Sequence, residues 1–109
     1  MGTTKTTQYR PDQLELAAMA KALAHPARIA ILQHVVAAKQ CINGELVQEI
    51  GLAQATISQH LRELKEAGIL QGTVEGTSIS YCINPAVWNT LGQQFQHFFQ
   101  QYPTSNSCC

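Results

Sequence analysis

Charge is scarce in this 109-residue chain: Asp, Glu, Lys and Arg make up 13%, and seven basic residues balance seven acidic ones. A uniformly basic coat for nucleic acid is therefore excluded, and any phosphate contact must come from a local concentration of Lys or Arg. No apolar run approaches the roughly 20 residues that span a bilayer, so no membrane partner is expected. The opening residues, MGTTKTTQYRPD, are polar and lack the apolar core of an export signal. A cytoplasmic location is the expectation. The constellations of common enzymes are missing too: there is no Ser-His-Asp order, no phosphate loop and no carboxylate pair in a defined site. A cysteine with His34, His60 or His97 makes no convincing nucleophile pair in a chain too small to build a cleft around it. Aromatics are few, at 6%, and they gather toward the C-terminal end.

What is present reads as one globular domain. Apolar residues make up 45%, which excludes a disordered chain. A domain of this size buries a modest core, and many gain burial by dimerising. We divide the chain into a flexible arm over 1–10, a folded domain over 11–102, and a Ser/Asn-rich tail over 103–109 that ends in Cys108 and Cys109.

The stretch from Glu45 to Leu70 organises the domain. Leu46, Val47 and Ile50 have helical spacing, Gly51-Leu52-Ala53 interrupts, and Ile57, Leu61 and Leu64 form the stripe of a second helix. Opposite that stripe lie Thr56, Gln59, Arg62 and Glu63, with Gln54 and Ser58 near its start. Two short helices, the second with an amide- and hydroxyl-rich face, describe a DNA-reading helix-turn-helix. Gly68 fits the left-handed position that closes the second helix, with Ile69 returning to Leu64. Asn43 is a good N-cap for a first helix beginning at Gly44. Ala53 offers no side-chain acceptor to the second helix, where an anion such as a DNA phosphate could meet the free amides.

Before this stretch, Pro11 and Asp12 open a helix carrying Leu16, Met19 or Ala20, and Leu23, and His25-Pro26 ends it. Pro26 starts a helix with Ile29, Leu32 and Val36 at i, i+3 and i+7 and with Ile31 and Val35 beside them. So many apolar positions predict a centrally buried helix, with Arg28 at its edge. From Leu70 to Asn84 the period falls to two. Ile79, Tyr81 and Ile83 take one face, Ser78, Ser80 and Cys82 the other, and Glu75-Gly76-Thr77 makes the turn. A hairpin placed directly after the second helix reads as a wing, with Thr77 at its tip. Asn84 and Pro85 then open a last helix in which Trp88, Leu91, Phe95, Phe98 and Tyr102 recur at spacings of three and four. This stripe suits a partner surface, and we expect a dimer seam there.

These residues resemble a known family. KALAHPARIAILQHV (Lys21 to Val35), ELVQEIGLAQATISQHLRELKEAGIL, and the wing ending in SISYCIN are similar to the ArsR/SmtB bacterial repressors over about residues 14 to 100. The most specific part is the S-x-H-L-x-x-L core at Ser58, His60, Leu61 and Leu64. The resemblance implies a mainly α fold with a small β-hairpin, a winged helix-turn-helix of order α-α-α-α-β-β-α, dimerised with a second copy through the first and last helices. It implies repression of a nearby promoter and release from double-stranded operator DNA by an inducer. The positions matching its DNA contacts are Gln54, Thr56, Ser58, Gln59 and Arg62, with Thr77 added from the wing tip. Gln can make paired hydrogen bonds to adenine, and Ser or Thr can meet phosphates or bases. His60, close to Ile57, Leu61 and Leu64, is expected to be a structural histidine bonded to backbone.

The inducer is where the chain departs from the family. Cys41-Ile42-Asn43 keeps the first sulfur of a C-x-C pattern and replaces the second with Asn43. His97 alone on the last helix is no zinc site. We expect Cys82, alternating with Tyr81 and Ile83, to be a strand filler. Cys41, Cys108 and Cys109 remain as three sulfurs for a thiophilic ion, As(III) or Sb(III), acting as inducer in a protein with no constitutive cofactor. The alternative is a thiol redox or persulfide sensor using Cys41 and the tail cysteines.

Overall fold

The computed structural model describes residues 8–43 and 54–103. In chain order these residues form α1 (Pro11–Leu23), α2 (Pro26–Ala38), β1 (Ile42–Asn43), α3 (Gln54–Glu66), β2 (Leu70–Glu75), β3 (Ser78–Ile83) and α4 (Pro85–Gln100). The expected first helix of the hairpin, with Leu46, Val47 and Ile50, and the Gly51-Leu52-Ala53 turn lie outside the described residues.

The helices start where local chemistry predicts. Pro11, Pro26 and Pro85 each occupy a first turn, where a missing N–H costs nothing. Asn84 caps α4, its side chain accepting from the Val87 amide at 3.4 Å. His25 takes the same role at α2, with its Nδ1 accepting from the Ala27 amide at 3.0 Å. α3 closes as a Schellman motif. The Ile69 amide donates to the Leu64 carbonyl at 3.1 Å and the Gly68 amide to Lys65 at 2.9 Å, with Gly68 at φ 86°.

The sheet has order β1-β3-β2 and is antiparallel throughout. Gly76 and Thr77 join β2 to β3, and of the two only Gly76 has positive φ, at 63°, the pattern of a type II′ hairpin. β1 was not expected. Instead of leading straight to a helix cap, Ile42 and Asn43 pair with Tyr81 and Ser80. Two residues are too few to announce a strand by periodicity.

Ile31, Leu32 and Val35 from α2, Ile57, Leu61 and Leu64 from α3, and Ile42, Ile69, Leu70 and Tyr81 from the sheet and its approach form one core, with Ala22 of α1. The buried face of α2 therefore centres on Ile31 and Val35, and the expected stripe is corrected. Ile29 and Val36 stand largely exposed. With apolar side chains around most of the helix, its neighbours α3 and β3 decide which side is buried. On α4 the aromatic stripe divides. Leu91 is buried and Trp88 packs on the core, whereas Phe98, Phe99 and Tyr102 are exposed. Among the described residues no helix is long and apolar enough to cross a membrane.

Candidate DNA-reading helix and the cysteine pair beside it

The candidate reading helix is α3. Its Ile57, Leu61 and Leu64 stripe is buried, and this fixes which side turns out. Thr56, Gln59 and Arg62 are exposed and Ser58 is half-buried, so four of the expected contact residues lie away from the core stripe. Gln54 opens the helix, though its side chain lies outside what is described. Thr77 is exposed in the wing turn. Lys65 lies across the backbone of β2, where a Cβ added to Gly72 would come within 3.1 Å of its side chain. The wing and α3 thus meet through a lysine stem that packs closely on Gly72.

Glu63 does not belong to the outward face where the spacing placed it. It pairs with the guanidinium of Arg28 from α2, and the two side chains keep 38% and 16% of their exposure. Arg28 also donates from Nε to His60 Nδ1 at 3.0 Å and from Nη1 to the Ala22 carbonyl at 3.1 Å. One planar guanidinium therefore ties the end of α1, the start of α2 and the middle of α3 together. Such a fork is chemistry that lysine cannot reproduce. His60 is a structural histidine as expected, but the partner found for it is Arg28 rather than backbone. The ring is buried and lies 4.5 Å, centroid to centroid, from His25. Desolvation lowers its pKa, and the neighbouring His25 and Arg28 charges lower it further, so neutral imidazole is the favoured form. With Glu63 engaged by Arg28, the exposed cations Arg62 and Lys65 face one fewer competing anion on this helix.

The cysteines hold the larger surprise. Cys41, just before β1, is disulfide-bonded to Cys82 in β3, with Cα atoms 4.3 Å apart. The strand register explains it. Ile42 lies opposite Tyr81, so the preceding residue of β1 falls opposite the following residue of β3, at the separation of a close cross-strand pair. Cys82 is thus the bonding partner of Cys41, and the strand-filler reading is corrected. The expected partners Cys108 and Cys109 lie outside the described residues. Among the described residues no three His, Cys, Asp or Glu side chains come together to hold a metal. His97 is exposed, with its Nε2 3.4 Å from Gln101 Nε2.

A helix-turn-helix domain model matches residues 23–73, from the end of α1 into the wing. The HTH-type transcriptional repressor SmtB of Mycobacterium tuberculosis is 39% identical over 61 residues, which are 56% of this chain and 44% of that protein. The chain thus spans less than half the length of the first curated relatives it matches. The crystal structure of M. tuberculosis Rv0081 superposes with a TM-score of 0.64 at 27% identity, covering 84% of this chain and 93% of that one. An ArsR-like transcriptional regulator from Rhodococcus sp. RHA1 shares the fold, with a TM-score of 0.67 at 21% identity over 82% and 83% of the two chains. The chain has the winged helix-turn-helix fold of these regulators, and its sequence is similar to theirs across the helix-turn-helix. The M. tuberculosis relative is described as a transcriptional repressor and the Rhodococcus neighbour as a transcriptional regulator.

Proposed function

We propose that this ArsR/SmtB-type chain is a homodimeric repressor that holds its operator while Cys41 and Cys82 are thiols and lets go when they join. The observation that carries this reading is the position of the bond. Cys41 and Cys82 are 41 residues apart in sequence, and they clamp the two-residue β1 onto β3. β1 leads toward α3 on one side, and β3 is the inner strand of the wing. Closing the bond fixes the approach to the reading helix against the wing. Opening it leaves a two-residue strand, marginal alone, and lets helix and wing settle separately into the grooves of DNA. Outside oxidising compartments a protein disulfide is characteristically a transient, redox-sensing bond.

The dimer is supported by the far end of the molecule. A groove of about 450 Å³ between α1 and α4 is lined by Leu16, Ala17, Ala20, Phe95 and Phe98 among others, and Phe98, Phe99 and Tyr102 at the C-terminal end of the described residues are exposed. Gln94 Oε1 at this groove is buried without a hydrogen-bond partner among the described residues. A second copy would cover the aromatics and can supply the donor. A structural neighbour from Mycobacterium bovis is described as homodimeric.

The same geometry supports a second reading. Reduced Cys41 and Cys82 offer two adjacent sulfurs to As(III) or Sb(III), and Cys108 or Cys109 could provide a third. Fluorescence anisotropy on DNA upstream of the chain's own gene tests the function. Reduced protein binds a defined segment. Gln59→Ala weakens binding by roughly 5- to 100-fold if Gln59 makes a paired base contact, and Arg62→Ala lowers the salt dependence by about one phosphate. Binding unaffected by both substitutions overturns α3 as the reading helix. Arsenite releasing DNA from wild type but not from Cys82→Ser supports metalloid as the inducer, and oxidant alone doing so supports the redox reading.

A further inference from the structure

The cysteine pair forms one wall of a cleft that the reading above leaves unused. The cleft is about 400 Å³, within the size range of small-molecule sites. Val35 and Val36 from the last turns of α2, Ile83 from the end of β3 and Trp88 from α4 make it apolar, and Lys39, Gln40 and the two cysteines complete it. Lys39 holds a left-handed conformation, φ 54°, a position that suits glycine or asparagine better. Val36 is 46% exposed near the end of α2. Apolar walls, one cation at the edge and a reactive sulfur pair thus share one space.

We propose that this cleft binds apolar organic hydroperoxides, and that their reduction closes the Cys41–Cys82 bond. The proposal rests on the redox reading of the cysteine pair and supplies its oxidant. Hydrogen peroxide gains nothing from valine, isoleucine and tryptophan walls, whereas each buried methylene favours binding by about fourfold. The Cys41 thiolate, the more exposed of the two, attacks the terminal peroxide oxygen. An S–O bond forms, the O–O bond breaks, and the alkoxide leaves as the alcohol after taking a proton, with the Lys39 ammonium at the cleft to stabilise its charge. The Cys82 thiolate then attacks the Cys41 sulfur. The S–S bond forms, the S–O bond breaks, and hydroxide leaves as water after taking the second proton. Two thiols are oxidised by two electrons, and one hydroperoxide is reduced to one alcohol and one water.

Trp88 is the only tryptophan in the chain and lines the cleft, so its fluorescence reports occupancy. The test uses the reduced full chain and 2-phenyl-2-propanol, the alcohol that corresponds to cumene hydroperoxide and is not an oxidant. Saturable quenching is expected, at least tenfold weaker in Val36→Glu, an exposed position whose change leaves the core intact. Thiol loss should be at least tenfold faster with cumene hydroperoxide than with hydrogen peroxide, after each rate is divided by that for free glutathione. Val36→Glu should remove this preference. Absent quenching, or equal normalised rates in the wild type, overturns the proposal. Diamide, which oxidises thiols without entering a site, separates the two readings. If it releases DNA while the hydroperoxide preference is absent, the cleft assignment falls and the switch stands. If diamide leaves DNA binding unchanged, the switch falls, and quenching with the hydroperoxide preference still decides the cleft.

Discussion

Replacing Arg28 by alanine should cost far more than a surface ion pair would suggest. The substitution removes three interactions at once: donation to His60 Nδ1, donation to the Ala22 carbonyl, and the ion pair with Glu63. Their losses differ. His60 is 8% exposed, so its abandoned acceptor costs about 1–3 kcal/mol. The Ala22 carbonyl adds about 1 kcal/mol, as a lost ordinary hydrogen bond. Glu63 retains 38% of its side-chain exposure and rehydrates, which limits its part to under about 1 kcal/mol. The total is about 2–5 kcal/mol, reaching at its upper end the roughly 3–5 kcal/mol for breaking a fully buried pair. For a domain of about 100 residues this lowers Tm by about 10–25 °C. Urea unfolding of wild type, Arg28→Ala, Arg28→Lys and Glu63→Gln measures it. Glu63→Gln should lose under about 1 kcal/mol, and Arg28→Lys should fall between, because an ammonium cannot serve three directions as a planar fork does. Operator affinity should fall along the same order, since Arg28 sets how α3 sits on α2. An Arg28→Ala cost below about 1 kcal/mol, or one equal to that of Glu63→Gln, would refute the reasoning.

Other consequences follow from the same contacts. Reduction of the Cys41–Cys82 bond opens a loop of 41 residues and should lower unfolding free energy by about 4 kcal/mol on the chain-entropy account. Urea midpoints with and without reductant check this, Cys82→Ser should not respond to reductant, and coincident wild-type midpoints contradict it. His60 has a lowered pKa, chiefly from desolvation. The unfolded chain therefore takes up a proton at higher pH than the folded one. The stability due to neutral His60 is present above the unfolded value of about 6.5 and is lost as pH falls through the lower folded value. His60→Gln should flatten the midpoint-versus-pH curve below about 6.5, and an unaltered slope there refutes the assignment.

How much of this was legible in the sequence depended on distance along the chain. The close of α3 by Gly68 and Ile69 is local chemistry, and it appears as read. The wing announced itself by its change of period, and Asn84 and Pro85 marked the start of α4. α2 was harder, because Ile29, Ile31, Leu32, Val35 and Val36 surround most of the helix and periodicity cannot choose between faces that are both apolar. The choice is made by α3 and β3. β1 and the Cys41–Cys82 bond depend on a register between segments some forty residues apart, to which single-segment patterns are blind. Glu63 looked like part of a polar outer face because nothing near it in sequence names Arg28 as its partner. The outward placement of Thr56, Gln59 and Arg62 follows directly from the Ile57, Leu61 and Leu64 stripe, and was recoverable from spacing alone.

In the proposed switch the sulfur pair controls the candidate reading helix. The most direct measurement is the operator affinity of one preparation of protein, fully reduced and then oxidised at Cys41–Cys82, with Cys82→Ser carried through the same treatments. Affinity at least tenfold weaker in the oxidised wild type, and unchanged in Cys82→Ser, is the predicted result. Equal affinity in the two states of the wild type would contradict it.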